Sequence, residues 1–333
     1  MSTRDAAMLK PLALQAARLL EAGWERIADT PDGTPVLDPY IGYGRPGGVV
    51  LRARVLTNLR RPQGRDGQSM LTNIQHMVDL FLTDELPGVE VTALGQATIS
   101  DEEGYVTLDV DGAFPSGWID VDMAAAGQTA IPVPAFIPDV QAPHLIISDI
   151  DDTVIETGAH VLARNLWTTF TGTAGSRLAH ADAVHLLDSL GAGTAAPVFY
   201  VSSSPWNMHH FLEQVFAHHA VPRGPIFLRD LGVTDSGIAR GHLDHKGDAI
   251  DTILAANPNL PAYLLGDSGQ KDAQVYLAAI GRHPNRIKGI ALREPAAGEG
   301  EDDAPFIEAI GAAGVPCYHG PTFDGALKIW GLE

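Results

Sequence analysis

The sequence has 333 residues, of which 45% are hydrophobic and 19% charged, as is typical of a soluble folded protein rather than a disordered one. This length exceeds what one hydrophobic core usually supports, so two domains are expected. The net charge of −19 argues against nonspecific binding to nucleic acid or to anionic lipid surfaces. The single cysteine, Cys317, excludes an intramolecular disulfide framework and a multi-cysteine zinc site. It is typical of a reducing compartment, so a cytoplasmic location is expected.

The N-terminal residues 1–27 predict an amphipathic helix. Lys10, Gln15 and Arg18 interrupt their apolar residues, so a signal peptide is not expected. No apolar segment of the sequence is long enough to predict a membrane-spanning helix.

Short strand patterns follow the first helix. Residues 47–56 and 88–100 favour strands, and the polar turn within residues 99–112 predicts a hairpin. Together these strands predict a small β-sandwich, and residues 70–86 indicate a helix within or beside it. Four prolines in residues 130–144 predict an extended linker.

Strand and helix patterns alternate after the proline-rich stretch. The predicted strands are LIISDI, PVFYVSSS, GPIFLRD, AYLLGDSG and IKGIALRE. Continuous apolar strands separated by helices predict a parallel sheet covered on both faces, which is a three-layer α/β/α arrangement. We therefore predict two domains: residues 1–140, with the N-terminal helix, the sandwich-like domain and the linker, and residues 141–333, a catalytic domain.

Polar residues end several of these predicted strands, and a ligand is expected beyond the carboxyl ends of the strands. The residues at these ends, or at the start of the next helix, are Asp149, Asp151, Ser202, Ser203, Ser204, Lys246, Asp267 and Asp272. Clustered carboxylates need a counter-charge, and hard oxygen ligands select Mg²⁺. The sequence therefore predicts a magnesium site with one lysine nearby.

Four motifs in order carry a family resemblance. DIDDT (149–153) matches the DxDxT signature of the haloacid dehalogenase superfamily, and Ser202, Lys246 and the acidic pair in GDSGQKD match its other motifs. YVSSSPWN, HKGDAI and LLGDSGQKDAQVY also resemble the catalytic domain of the actin-patch phosphatidate phosphatase family over residues 143–295. The resemblance implies a haloacid dehalogenase-like (Rossmannoid) fold, and neither insert between the motifs is long enough for a large cap.

The residues themselves indicate a phosphatase mechanism. We expect Asp149 to attack phosphorus and form an aspartyl-phosphate, and Asp151 to protonate the leaving oxygen and then deprotonate water. Ser202 is expected to donate a hydrogen bond to the phosphoryl group, with Ser203 as the alternative serine. Lys246 is expected to neutralise charge on the phosphoryl group and on Asp149.

The resemblance adds the metal ligands and the substrate. It implies that Mg²⁺ is held by Asp149, the backbone carbonyl of Asp151, and Asp267, with Asp272 binding through water or orienting the others. It also implies phosphatidate as the substrate, giving diacylglycerol and phosphate, with contact at a membrane surface. A phosphatase of proteins or soluble metabolites and a catalytically silent binding protein with the same fold are the alternatives. The role of the N-terminal domain and the oligomeric state are left open.

Four other features favour structural interpretations. The pairs His209–His210 and His218–His219 indicate an amphipathic helix surface more than a metal site. Trp206 is expected to pack, and Asp152 to be a turn residue. Arg293 is left outside the predicted site.

Overall fold

The computed structural model describes residues 34–57, 85–156, 179–192, 195–229, 242–269, 271–294 and 303–332. The helix predicted for residues 1–27 lies outside these residues, as does nearly all of the helix predicted for residues 70–86. No helix in the described ranges combines the length and hydropathy needed to cross a bilayer.

The N-terminal part forms one mixed seven-stranded sheet. Its strands are β1 (Val36–Arg45), β2 (Gly48–Leu56), β3 (Glu90–Ala93), β4 (Gln96–Ile99), β5 (Tyr105–Asp111), β6 (Gly117–Ala125) and β7 (Ile131–Ile137). Their order is β4-β3-β6-β7-β1-β2-β5, and apolar residues from strands across the sheet form one buried cluster. The predicted sandwich of two sheets is not confirmed, because the described strands share a single hydrogen-bonded sheet.

Two local predictions for this sheet are wrong. The turn at Asp101–Gly104 does form, but it joins β4 and β5, which lie at opposite edges of the strand order instead of pairing as a hairpin. The proline-rich stretch is also not a plain linker, because β7 pairs with β6 over residues 131–137. Pro132 and Pro134 are tolerated there because β7 pairs with β1 only at Ala135 and Phe136, which leaves the proline positions unpaired on that side.

The C-terminal part is an α/β unit with a six-stranded parallel sheet. Its strands are β8 (Leu145–Asp149), β9 (Val198–Pro205), β10 (Ile226–Arg229), β11 (Ala262–Asp267), β12 (Ile287–Arg293) and β13 (Cys317–Gly320). The helices are α1 (Ala181–Gly191), α2 (His209–His218), α3 (His242–Ala256), α4 (Asp272–Arg282), α5 (Ala304–Ala312) and α6 (Ala326–Ile329). The predicted parallel sheet is confirmed, and β13 and α6 are additions that the sequence patterns did not reveal.

Alternating apolar residues of the strands give this sheet two buried faces. In β8, Leu145 and Ile147 belong to a cluster with α3 and α4, whereas Ile146 belongs to a cluster with α1 and α2. Successive side chains of a strand point to opposite faces, so a run of apolar residues lets one strand contribute to both clusters. The described residues therefore form an α/β protein with one mixed and one parallel sheet.

Candidate active site

The strand order places Asp149 at a topological switch point of the parallel sheet. The parallel sheet runs β10-β9-β8-β11-β12-β13, so β8 lies next to a strand that comes much later in the chain. The chain passes from β8 to β9 on one side and returns to β11 on the other, and in open α/β sheets ligands bind at the strand ends of such a switch point. Asp149 ends β8 and Asp267 ends β11, and both are buried. The two predicted carboxylates thus meet at the switch point of the sheet.

Asp149 is held through both of its carboxylate oxygens. Its Oδ1 lies 2.7 Å from Nζ of Lys246, and its Oδ2 accepts a hydrogen bond of 3.0 Å from Oγ1 of Thr153. Burial raises the pKa of Asp149 well above its ordinary value; Lys246 opposes this rise, and Asp272 and Asp151 add to it. Thr153 is the last residue of the DxDxT motif, and no role was predicted for it from the sequence. Its spacing of four residues from Asp149 was the available signal.

Lys246 joins two of the buried carboxylates. Its Nζ is 2.5 Å from Oδ1 of Asp272 in addition to the contact with Asp149. Burial alone lowers the pKa of Lys246, but the nearby charges of Asp149, Asp272 and Asp267 outweigh it and raise that pKa. Lys246 therefore stays an ammonium ion although it is only 4% exposed.

Asp267 and Asp272 complete the cluster. Oδ2 of Asp272 accepts a hydrogen bond of 3.2 Å from the backbone N–H of Asp267, and Oδ1 of Asp267 accepts one of 2.6 Å from Gly269. Burial is the largest effect on the pKa of both carboxyl groups, and it raises both values. Within the described part of the chain, the buried Oδ2 of Asp267 has no hydrogen-bond partner.

This cluster fits a hard divalent cation. Asp149, Asp267 and Asp272 each offer a carboxylate oxygen, and the three atoms lie within 4.8 Å of one another. When all three carboxylates are ionised, Lys246 leaves two negative charges in excess. Oδ2 of Asp267, which has no hydrogen-bond partner among the described residues, is available to bind such a cation. An all-oxygen donor set of this charge suits Mg²⁺.

Asp151 forms a second group with serines at the C-terminal end of β9. Its Oδ2 accepts hydrogen bonds of 2.6 Å from Oγ of Ser202 and 3.2 Å from Oγ of Ser204. Ser202 Oγ also accepts a bond of 2.9 Å from the backbone N–H of Ser204. Burial raises the pKa of Asp151, and the bond from Ser202 is the leading opposing effect. The contact of Ser204 was missed, because a run of three serines gives no indication of which hydroxyls face a carboxylate.

The chain makes a tight turn directly after β8. This turn lets Asp149 face Lys246 while Asp151, two residues later, faces the serines of β9. Asp152 has φ of 58°, in the left-handed region that Asp adopts more readily than most residues. Its N–H donates to the carbonyl of Ile155, and the N–H of Val154 donates to Ile150, which closes the turn. Asp152 is thus a turn residue in this structure, as the sequence predicted.

Trp206 and Arg293 take structural contacts. Trp206 stacks on Tyr40 of the mixed sheet, with ring centroids 5.1 Å apart. The buried Arg293 places its Nη2 2.6 Å from Oδ2 of Asp182. Trp206 therefore packs as the sequence predicted, and Arg293 pairs with Asp182.

The histidine pair at the start of α2 is only partly a surface feature. His209 is fully buried, so the surface interpretation is wrong for it. Nδ1 of His209 and Nδ1 of His210 lie 3.4 and 3.2 Å from the same Oε2 of Glu213, and Nε2 of His210 lies 2.9 Å from Oδ1 of Asp38. One atom from each of His209, His210 and Glu213 forms a second set that could hold a metal ion. However, Nε2 of His209 faces the backbone N–H of Ile41 at 3.5 Å, which favours a proton on Nδ1, where a metal would have to bind.

The fold and these contacts define an α/β protein with a buried carboxylate–lysine centre at the switch point of a parallel sheet. Residues 144–294 match the family model described as phosphatidate phosphatase APP1, catalytic domain. Phosphatidate phosphatase APP1 of Saccharomyces cerevisiae is 29% identical over 228 residues, which cover 66% of this chain and 38% of the yeast protein. An uncharacterized protein of Schizosaccharomyces pombe is 29% identical over 153 residues, which cover 45% of this chain and 25% of that protein.

The predicted family resemblance is therefore confirmed for residues 144–294, which are similar to the catalytic domain of phosphatidate phosphatase APP1. The chain spans well under half the length of these two relatives. A solved structure of the Pnkp1/Rnl/Hen1 complex is similar over 50% of this chain and 55% of that chain, at 15% identity. Its TM-score of 0.33 is too low to support an argument about fold or function.

Proposed function

We propose that this chain is a Mg²⁺-dependent phosphomonoesterase that converts phosphatidate to diacylglycerol and phosphate through an aspartyl-phosphate on Asp149. The observation that carries the proposal is the buried contact between Asp149 and Lys246 at the switch point, within residues that match a phosphatidate phosphatase catalytic domain. The haloacid dehalogenase-like fold, the three-layer arrangement and the division into residues 1–140 and 141–333 are part of the same proposal.

Asp149 acts as the nucleophile. Lys246 and Thr153 fix one oxygen each, so the carboxylate is oriented before substrate binds. Its attack forms a new bond from oxygen to phosphorus while the bond from phosphorus to the glycerol oxygen breaks. Lys246 favours the ionised carboxylate that this attack requires and stabilises the charge that develops on the phosphoryl oxygens.

Asp151 moves the proton in both steps. Burial raises its pKa, which favours the protonated form that donates to the leaving glycerol oxygen. As a carboxylate it then takes a proton from the water that attacks the aspartyl-phosphate, which releases phosphate and restores Asp149. Ser202, whose Oγ contacts Asp151, is the proposed donor of a hydrogen bond to a phosphoryl oxygen.

Asp149 and Asp267 would hold Mg²⁺ directly, and Asp272 would bind it through water or orient the other ligands. The family resemblance adds the backbone carbonyl of Asp151 to this set. Oδ1 of Asp272 also contacts Lys246. When bound, the cation supplies positive charge that offsets the charges of the phosphoryl group and the carboxylates. Two observations support Mg²⁺ binding here: all of the donor atoms are oxygens, and Oδ2 of Asp267 has no hydrogen-bond partner among the described residues.

Phosphatidate is the proposed substrate because of the family match of residues 144–294. Contact of the protein with a lipid surface and a cytoplasmic location belong to the proposal. Phosphoproteins and soluble phosphometabolites use the same chemistry at the reacting phosphate, so only a comparison of substrates separates them.

The test is release of phosphate by the purified chain from phosphatidate in mixed micelles, from glycerol 3-phosphate and from a phosphopeptide. Each assay is run with Mg²⁺ and with EDTA, and Asp149→Asn is the inactive control. We expect Mg²⁺-dependent release that is fastest with phosphatidate. Faster release from either soluble substrate would overturn the lipid assignment. No release from any of the three would overturn the enzyme assignment and would favour a binding protein.

A further inference from the structure

The segment that carries the two serines is also a contact point with the mixed sheet. We define the serine segment as residues 202–208, which follow the core of β9. Ser202 and Ser204 in this segment bond to Asp151. Two residues after Ser204, the ring of Trp206 faces strands β1 and β2. The serine segment therefore connects Asp151 to the N-terminal part of the chain.

Arg52 of β2 lies against Trp206. Its guanidinium carbon is 4.9 Å from the Trp206 ring centroid, 4.6 Å from that of Phe227 and 5.3 Å from that of Tyr43. Nε donates a bond of 3.0 Å to the carbonyl of Ile41, and Nη2 donates to the same oxygen. The planar guanidinium is thus fixed by the backbone of β1 on one side and by aromatic rings on the others.

The burial of the Arg52 side chain costs free energy that a purely structural role would not require. Arg52 is only 6% exposed, and no carboxylate pairs with it among the residues that the structure describes. Burying a cation without a paired anion costs free energy, which an apolar side chain of similar size would avoid. What the guanidinium adds is a fixed orientation between the β1 backbone and the Trp206 ring.

Two further contacts hold the same region. The Tyr40 ring stacks on Trp206 with an interplanar angle of 21°. Nε2 of His210, just beyond the serine segment, lies 2.9 Å from Oδ1 of Asp38. Pro205 joins Ser204 to Trp206, and its ring fixes the backbone φ angle between them.

We propose that Arg52, supported by Tyr40, is a positioning residue that sets Ser202 and Ser204 against Asp151 through Trp206. The mixed sheet is then part of the catalytic machinery and not only a neighbouring domain. This inference rests on the proposed function for the role of Asp151. The contacts of Arg52 and Tyr40 with Trp206 can be tested without measuring activity.

The experiment replaces Arg52 with Met, which fills similar space without the charge or the hydrogen bonds. Tyr40→Leu removes the stacked ring and leaves Arg52 in place, so it tests the same contact if Arg52→Met does not fold. Arg45→Met is the matched control, because Arg45 of β1 bonds to Asp109 and Asp111 within the mixed sheet. The readouts are kcat and KM for phosphate release and hydrogen exchange of peptides that span residues 202–208.

We expect Arg52→Met and Tyr40→Leu to lower kcat by about 10- to 100-fold with KM changed less than about twofold, because misplaced catalytic groups affect the reaction more than binding. Exchange in the serine segment should become faster in both variants. Arg52→Lys, which keeps the cation over the ring, should recover part of kcat, and Arg45→Met should match the wild type in both readouts.

A folded Arg52→Met variant with wild-type kcat and wild-type exchange would overturn the inference. An equal loss in Arg45→Met would also overturn it, because the effect would then be a general one of the sheet. If the wild type releases no phosphate, the proposed function fails, and the exchange of the serine segment alone decides whether Arg52 positions it.

Discussion

Nζ of Lys246 lies 2.7 Å from Oδ1 of Asp149, and both side chains are almost completely buried. The same ammonium group also pairs with Asp272, so one cation contacts two carboxylates. A carboxylate oxygen of Asp267 lies within 4.8 Å of oxygens of both. Buried charges of this kind hold one another in place, and removing one leaves the others uncompensated.

Replacing Lys246 with Met should therefore affect both activity and stability. We expect kcat/KM to fall by about a thousandfold, because the phosphoryl charge loses its closest side-chain cation. The free energy of unfolding at pH 7 should fall by about 3 kcal/mol, and the loss should shrink at acidic pH, where the carboxylates become protonated. Denaturant unfolding at two pH values checks this. Lys288→Met, at an exposed position of β12, is the control and should change neither quantity. A loss that is the same at both pH values would contradict the account.

Thr153→Val should lower kcat by about tenfold, because it removes the hydrogen bond to Oδ2 of Asp149 while it keeps the shape of the side chain. Thr252→Val is the matched control: the exposed Thr252 bonds to the carbonyl of Asp248, away from the cluster. Steady-state kinetics of both variants test this prediction. Equal kcat values for the two variants would show that Thr153 does not orient the nucleophile.

Ser202→Ala should change the pH dependence of kcat/KM. The bond from Ser202 stabilises the ionised form of Asp151 and lowers its pKa, so its loss should raise that pKa further. A general acid works in its protonated form, and the alkaline limb of the profile should therefore move to higher pH. Ser204→Ala should move this limb less, because its bond is 3.2 Å long compared with 2.6 Å. A shift to lower pH in Ser202→Ala would contradict the assignment of Asp151.

His209 should make the fold sensitive to acid. Burial lowers its pKa to about 4, whereas a histidine in the unfolded chain titrates near 6.5. The neutral, buried His209 therefore contributes its full share to the free energy of unfolding above pH 6.5. This contribution is lost as the pH falls toward 4, because the histidine of the unfolded chain takes up a proton first. This loss should reach about 3 kcal/mol. His209→Gln should flatten the dependence of unfolding free energy on pH, while His218→Gln, at an exposed position of α2, should keep the wild-type slope. Parallel curves for wild type and His209→Gln would refute the prediction.

The sequence predicted the parallel sheet and the site because both depend on local patterns. Continuous apolar runs such as residues 145–147 predict buried strands, and the carboxyl ends of parallel strands lie at one edge. The sequence alone therefore predicts that four residues lie at one edge of the sheet, namely Asp149, Lys246, Asp267 and Asp272.

The remaining features depend on contacts between distant segments. Nothing local indicates that Arg52 would lie against Trp206 or that His209 would be fully buried. The prolines near residue 132 favoured a linker. They are tolerated in β7 because that strand pairs with β1 at only two residues, and the position of β1 cannot be read from the local sequence. Each of these outcomes was decided by tertiary packing.

The central claim is that Asp149 becomes phosphorylated. The direct measurement is peptide mapping of acid-quenched Asp151→Asn protein after reaction with p-nitrophenyl phosphate and Mg²⁺. That leaving group needs little protonation, so the acyl phosphate should form and then accumulate without the base that activates water. The account predicts phosphate on Asp149 in Asp151→Asn and none in Asp149→Asn; a label on another residue, or equal labelling of both variants, would contradict it.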